Sequence, residues 1–324
     1  MYPEKEIIIF HVESALHAGA GASIGHIDNP VQRETSTGNP VVQANGVKGA
    51  LREFYEKTAS GDNKKIDAVF GKGEGRRDEK DGAGAVAFGE ARLLFFPVRS
   101  LAGVFAYITC PSIIARFQRD LTAVNKEILK VSDGNGGGKI WRPRVSTNRY
   151  LSHTDSIAKL SAEGLLVLEE LPFKLQDTDD NPDRCLELLS DALFPGAPEY
   201  IPFKSDFPKR VVVLNDTDYF YFVKYSTEVE PHNRIDDTTG TVDEKTGVWY
   251  TEYLPAETIF YSSLFIGSPR VQKDAFKDAA GVKAFIERVD GKRTWLGGDR
   301  TTGKGRVMMH LYKKEANMQN QQEV

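Results

Sequence analysis

The sequence predicts an α+β fold of the ferredoxin-like kind, a βαββαβ unit enlarged by insertions. Three observations lead there: a β-branched apolar run near the start, helix-spaced apolar positions after it, and paired aromatic-rich runs ahead of a second helical stretch. Residues 6–13 (EIIIFHVE) have the composition of a half-buried strand. In residues 47–57, Val47, Leu51, Phe54 and Tyr55 fall close to helical spacing. Residues 86–98 and 103–109 are rich in Phe, Val and Leu and read as two strands joined by a turn at 99–102. Residues 111–121 return to helical periodicity, with Pro111 tolerated in the first turn. Further along, residues 210–214 and 219–223 are strand-like. Residues 229–253 read as a long hairpin with turn residues at 236–240 and 244–247, and residues 306–312 (RVMMHLY) as a terminal strand.

A chain of 324 residues buries a sizeable core without disulfides or a structural metal, as one elaborated domain or two. Its 42 Lys+Arg against 46 Asp+Glu leave a formal charge of −4, which excludes a globally basic, tail-driven nucleic-acid binder but leaves room for local basic patches. The acidity concentrates in residues 127–200, which hold eight basic and thirteen acidic side chains. Within that segment, 133–138 and 177–183 read as exposed loops or insertions, because Gly, Asn, Asp and Pro punctuate rather than pack. Cys110 and Cys185 are too few for a disulfide framework or a four-ligand zinc site, and their scarcity fits a reducing, cytoplasmic setting. No apolar run reaches membrane-spanning length, so no membrane partner is expected. Residues 313–324 are polar and Gln-rich and read as a frayed tail.

Three segments could carry chemistry. After the first strand comes a Gly-rich run, residues 16–34, holding His17, His26 and Asp28. Small residues let backbone N–H groups approach a phosphate, and the two histidines and the carboxylate suit proton transfer or a cation; a surface loop with incidental histidines is the plainer alternative. In the second segment Lys48 and Arg52 stand four apart on one helix face with Gly49 between them, either a sugar-phosphate site beside a helix N-terminus or a solvated face. The third, residues 295–306, nearly spells a nucleotide-binding P-loop, with Gly298 and Gly303-Lys304 correctly spaced. Gly305 replaces the required hydroxyl residue, however, and a strand-like stretch follows where a helix should. A Gly-rich cationic turn able to clamp a nucleic-acid backbone is the better reading. His11, His153, His232 and His310 share no spacing, and neither cysteine has the context of a nucleophile.

Taken in order, LHAGAGASIGHIDNPVQRE, GVKGALRE, FGEARLLFFPVRSLAGVFAYITCP, EYLPAETIFYS and LGGDRTTGKGR resemble the backbone ribonuclease subunits of Cmr-type (type III-B) CRISPR effector complexes, members of the RAMP superfamily. The resemblance spans residues 7–307. It implies a modified RRM-like palm (1–126, 201–225 and 255–312), finger-like insertions (127–200) and a thumb hairpin (226–254), all in one domain over 1–312. It further implies copies stacked head to tail on a CRISPR guide RNA beside other Cmr-type subunits, cutting the paired target RNA at regular intervals with help from Mg²⁺ or Mn²⁺. Asp28, in Gly-x-x-Asp-x-Pro-x-Gln-Arg-Glu, inherits the cleaving and metal-binding role. His17 and Glu252 match further catalytic positions, while Lys48, Gly49, Arg52, Arg99, Gly298, Lys304 and Arg306 are the candidates for lining an RNA groove. A non-catalytic RNA-binding subunit of the same complex is the alternative, and a stand-alone processor of the guide precursor a third.

Overall fold

The computed structural model describes residues 2–23, 25–58, 62–72, 82–132, 138–177, 182–236, 238–242 and 247–313. The turns expected at 133–138 and 244–247, the acidic run 177–183 and the tail 313–324 lie wholly or partly outside them. In chain order the elements are β1 (Glu4–Val12), β2 (Val41–Val42), α1 (Ala44–Thr58), α2 (Asn63–Phe70), β3 (Val86–Phe88), β4 (Ala91–Arg99), β5 (Phe105–Thr109) and α3 (Pro111–Ala123). Next come β6 (Lys130–Ser132), β7 (Gly138–Ile140), β8 (Arg149–Ser152), β9 (Leu165–Leu168), β10 (Leu171–Leu175), α4 (Asp183–Leu193), α5 (Ile201–Arg210) and β11 (Val211–Leu214). The chain continues through α6 (Asp216–Tyr225), β12 (Glu228–Asn233), β13 (Val248–Tyr253), β14 (Ile259–Ile266), α7 (Ala279–Ile286), β15 (Lys292–Trp295) and β16 (Arg306–Leu311).

The first strand is more deeply buried than its composition suggests. Ile7, Ile8, Ile9 and Phe10 are all inaccessible, because β1 is covered on both faces and its apolar residues run on instead of alternating. It pairs antiparallel with β14 on one side and β16 on the other, and β14 pairs antiparallel with β4. This gives the order β16–β1–β14–β4, with α1 between β1 and β4 in the chain and α7 between β14 and β16. The two helices are tied together: the Tyr55 hydroxyl donates to the carbonyls of Phe285 (2.8 Å) and Ile286 (3.0 Å). The hairpin expected after residue 86 forms between β4 and β5, but its first arm is interrupted at Gly89–Glu90, so that β3 is a separate short strand on β14.

From β5 the same sheet continues through β11, β8, β10 and β9, so the middle of the chain extends the main sheet. The strand expected at 219–223 is instead α6. Asn215 caps it, its side chain accepting from the Thr217 and Asp218 amides, and only Tyr219, Phe222 and Val223 are buried, one face of a helix. Strands β12 and β13 form the long hairpin foreseen at 229–253.

His11 of β1 is buried, its Nε2 donating to the Leu193 carbonyl (2.8 Å) and its ring against Phe194. Burial lowers its pKa to about 4, against the opposing pull of that hydrogen bond. Between pH 4 and the ordinary histidine value of about 6.5 the unfolded chain therefore binds more protons than the folded one, and stability falls as pH drops. Denaturant titrations should show about 2 kcal/mol lost to this group between pH 7 and pH 5, and His11→Gln should remove that portion of the slope. An unchanged slope in the variant would show that His11 is not the group responsible.

Candidate active site

The Gly-rich segment is a built loop that leaves and rejoins one edge of the hairpin. Leu16 exchanges backbone hydrogen bonds with Leu254 (2.8 and 2.9 Å), and on its return Asn29 donates to the Tyr250 carbonyl (3.1 Å) and accepts from the Glu252 amide (3.0 Å). Its neck is closed by Ala20 N–H to Pro30 O and Gln32 N–H to Ala18 O, at 2.9 and 2.7 Å. Asp28 sits at this neck, half-buried, with Oδ2 accepting from the Tyr250 amide at 2.7 Å. Its other carboxylate oxygen has no hydrogen bond among the described residues.

Below Asp28 lies a second carboxylate of different character. Glu252 is only 3% exposed. Its Oε2 accepts from the Val31 amide (2.9 Å), while Oε1 accepts from Arg33 Nη2 (2.6 Å) and the Thr227 hydroxyl (2.9 Å). The Arg33 guanidinium also donates to the carbonyls of Gly38 and Val223, the latter in α6. With both oxygens engaged, Glu252 anchors the loop to the hairpin.

His17 hangs from the same strand. Its Nδ1 lies 2.8 Å from the Glu252 carbonyl, which can only accept, so Nδ1 carries the proton and in the neutral ring Nε2 holds the lone pair. A Cβ on Gly19 would stand 2.6 Å from that Nε2 and would push the ring aside. The Gly-rich turn between β15 and β16 cradles the other side of His17: Gly298 N–H donates to the His17 carbonyl (2.9 Å), and a Cβ on Gly297, at φ +78°, would meet that oxygen at 2.2 Å. Gly298 thus spends its amide on the His17 carbonyl.

The expected cations divide sharply. Arg52 is used internally, its guanidinium bonded to Glu56, to the Gly71 carbonyl and to Asp67, straps that hold α1 to α2. Lys304 pairs with Glu230 of the hairpin and stacks 4.4 Å over the Tyr253 ring. Arg306 pairs with Glu13 at 2.9 Å while staying half exposed. Lys48, by contrast, has no ion pair among the described residues, and its pKa is lowered by partial burial and by the neighbouring Arg52 charge. Gly49 beside it is exposed, and a Cβ there would meet nothing within 4 Å. Arg99 is exposed at the end of β4.

Among the described residues no cluster of three or more His, Cys, Asp or Glu could hold a metal ion. Asp28 offers one open oxygen, and the described residues place no further ligating side chains around it as a three-residue cluster. Cys110 and Cys185 are buried, with pKa pushed up to about 12 by desolvation, and neither serves as a nucleophile. No helix among the described residues is long and apolar enough to cross a membrane.

The sheet, the looped carboxylate and the hairpin define a class of protein. The chain belongs to the RAMP superfamily, whose sequence pattern matches residues 9–308. Within that class it is 32% identical over 295 residues, 91% of each chain, to the CRISPR system Cmr endoribonuclease Cmr4 of Pyrococcus furiosus. The CRISPR system CMR subunit Cmr4 of Saccharolobus solfataricus is 23% identical over 315 residues, 90% of this chain and 91% of that one. Oligomeric Cmr4 from Pyrococcus furiosus superposes with a TM-score of 0.70 at 26% identity, covering 97% of this chain and 99% of that one. A chain of the type III-B Cmr-beta complex bound to cognate target RNA shares the fold, with a TM-score of 0.67 at 22% identity over 96% and 98% of the two chains.

Arg33, Thr227 and Tyr250 were not singled out by sequence. Arg33 stands inside the Asp28 motif, but its partner Glu252 is 219 positions away. Replacing Glu252 by Gln removes the charge facing Arg33 and can turn an amide N–H toward the Val31 donor. It should cost about 3 kcal/mol of stability in denaturant titration, whereas Asp28→Asn, which keeps an acceptor for Tyr250, should cost less than about 1 kcal/mol. Equal losses would remove the distinction drawn between the two carboxylates.

Proposed function

We propose that this chain is a guide-RNA-binding backbone subunit of a type III-B CRISPR effector complex that cleaves complementary target RNA at regular intervals. Copies of it and other Cmr-type subunits stack along the guide. The observation that carries this reading is Asp28: a half-buried carboxylate with one oxygen fixed and one open, at the junction of a Gly-rich loop and a projecting hairpin. The endoribonuclease named in Pyrococcus furiosus and the oligomeric form of its structure support the activity and the self-assembly. In this reading β16–β1–β14–β4 with α1 and α7 form the ferredoxin-like palm, residues 127–200 the finger-like insertion and residues 226–254 the thumb. A heterologous head-to-tail contact that does not close into a ring generates a filament, and a filament spaces its active sites evenly without reading sequence.

RNA brings its own nucleophile. The 2′-oxygen attacks the adjacent phosphorus, the P–O5′ bond breaks, and the products are a 2′,3′-cyclic phosphate and a 5′-hydroxyl. The protein has to place the ribose in line, take the 2′-proton and return a proton to the leaving oxygen. Asp28 takes the proton through its open oxygen, and Tyr250 N–H keeps the carboxyl aimed. His17 attaches to the same strand two residues away, a rise of about 7 Å; once protonated at Nε2 it is the donor to the leaving oxygen. A Mg²⁺ or Mn²⁺ ion at this site would be held by Asp28 beside RNA and water oxygens and would supply charge neutralisation, Asp28 then orienting the ribose instead of taking the proton itself.

On the guide side, Lys48 has no ion pair among the described residues, and Gly49 beside it, where a Cβ would meet nothing within 4 Å, is the place where a sugar-phosphate can come close. Asp28→Asn in the assembled complex should abolish target cleavage and leave target binding within about twofold; cleavage at the wild-type rate would end this reading. Lys48→Glu should weaken guide binding and lower the salt slope by about one, with Arg52→Ala reducing stability instead. A salt titration of guide affinity separates the two, and an unchanged slope for Lys48→Glu would remove the assignment.

A further inference from the structure

A concave groove lies between α6 and the strands β8 and β10, outside the Asp28 loop and its anchors. Its volume is about 560 Å³, within the range of roughly 300–1,000 Å³ typical of small-molecule sites. Tyr221 and Phe222 wall one side and Phe173 and Leu171 the other. Tyr221 and Tyr225, one helical turn apart, pack with centroids at 5.1 Å and planes tilted by 49°, and are 44% and 61% exposed. Such rings are large apolar surfaces left in water, and Lys224 lies 5.0 Å over the Tyr225 ring. The polar rim is cationic. Lys174 has no ion pair among the described residues, and the Arg149 guanidinium donates to the Leu175 carbonyl alone, at 3.1 Å. The one carboxylate lining the groove, Asp218, is occupied on Oδ2 by the Asn148 amide (2.9 Å) and the Asn215 side chain.

The groove shares helix α6 with the anchor of the Asp28 loop. The Val223 carbonyl, between Tyr221 and Tyr225 in α6, accepts from Arg33, the residue that pairs with Glu252 below Asp28. The aromatic track therefore begins within a helical turn of the anchor of the Asp28 loop. Exposed aromatic faces beside unpaired cations, next to a concave pocket, match the chemistry of a single-stranded nucleic acid: a π-face to stack and phosphates to neutralise. Arg149 and Lys174 together outweigh the single negative charge of Asp218, which favours an anionic partner over an uncharged one.

We propose that this groove is a nucleobase-binding site for single-stranded RNA, with a base stacked on Tyr221 and its phosphates on Lys174 and Arg149. This rests on the reading of the chain as an RNA-binding protein. The test is fluorescence anisotropy of the full-length protein with a labelled oligouridylate of about ten nucleotides, beside the variants Tyr221→Ala, Tyr221→Phe and Lys174→Glu. Tyr221→Ala should raise Kd about tenfold with the thermal midpoint unchanged, and Tyr221→Phe should restore binding because it keeps the ring. Lys174→Glu should weaken binding and flatten its salt dependence. If the wild-type chain binds the oligomer while all three variants bind equally well, the groove is not an RNA site and only this proposal falls. If the wild-type chain binds no single-stranded RNA, the RNA-binding reading falls with it. Altered oligomer size in Tyr221→Ala with unchanged RNA affinity would make the groove a contact between copies and overturn the proposal.

Discussion

A single buried carboxylate, Glu252, joins the two parts that the chemistry needs together. A two-stranded hairpin is marginal on its own, and a Gly-rich loop is costly to order because its unfolded chain has so many conformations. Each is held where Glu252 receives Val31, Arg33 and Thr227. Desolvating that carboxylate is expensive and is offset only because both oxygens are met by donors, one of them a guanidinium. The consequence reaches Asp28 through three residues of chain. With Val31 and Asn29 fixed to the strand, the Tyr250 amide meets Asp28 Oδ2 at 2.7 Å without further ordering.

Local patterns in the sequence revealed most of the sheet's central elements. The apolar run of β1, the spacing in α1 and the aromatic arms of β4 and β5 are signals within a dozen residues, and they survive folding because packing agrees with them. Residues 219–223 failed for a physical reason. Their aromatic and β-branched composition suits a strand, and what decides is Asn215, a capping side chain four residues earlier, with burial confined to one face. The placement of β14 beside β1 was equally out of reach, since 250 or so residues separate them and register is settled by long-range pairing.

The candidate site shows the same division. Asp28 could be singled out from its surrounding motif, and it lies at a half-exposed junction of loop and hairpin. The roles of Arg52, Gly298 and Glu252 could not, because a cation or an amide announces its capacity in sequence but not its partner. Arg52 finds Asp67 and Glu56, Gly298 finds the His17 carbonyl, and Glu252 finds Arg33. In a chain with a formal charge of −4, several cations are committed to holding the fold, while Lys48 and Lys174 have no ion pair among the described residues and are the ones proposed to meet RNA.

Amide hydrogen exchange at Val31, Tyr250 and Glu252 in the unmodified chain bears most directly on whether the loop and the hairpin are one unit. The Val31 and Glu252 amides close the anchor, and the Tyr250 amide holds Asp28. The expected result is a single opening free energy shared by all three, well below that of the β1 amides. Free exchange at Tyr250 with Val31 still protected would contradict it, showing that Asp28 moves independently of the carboxylate beneath it.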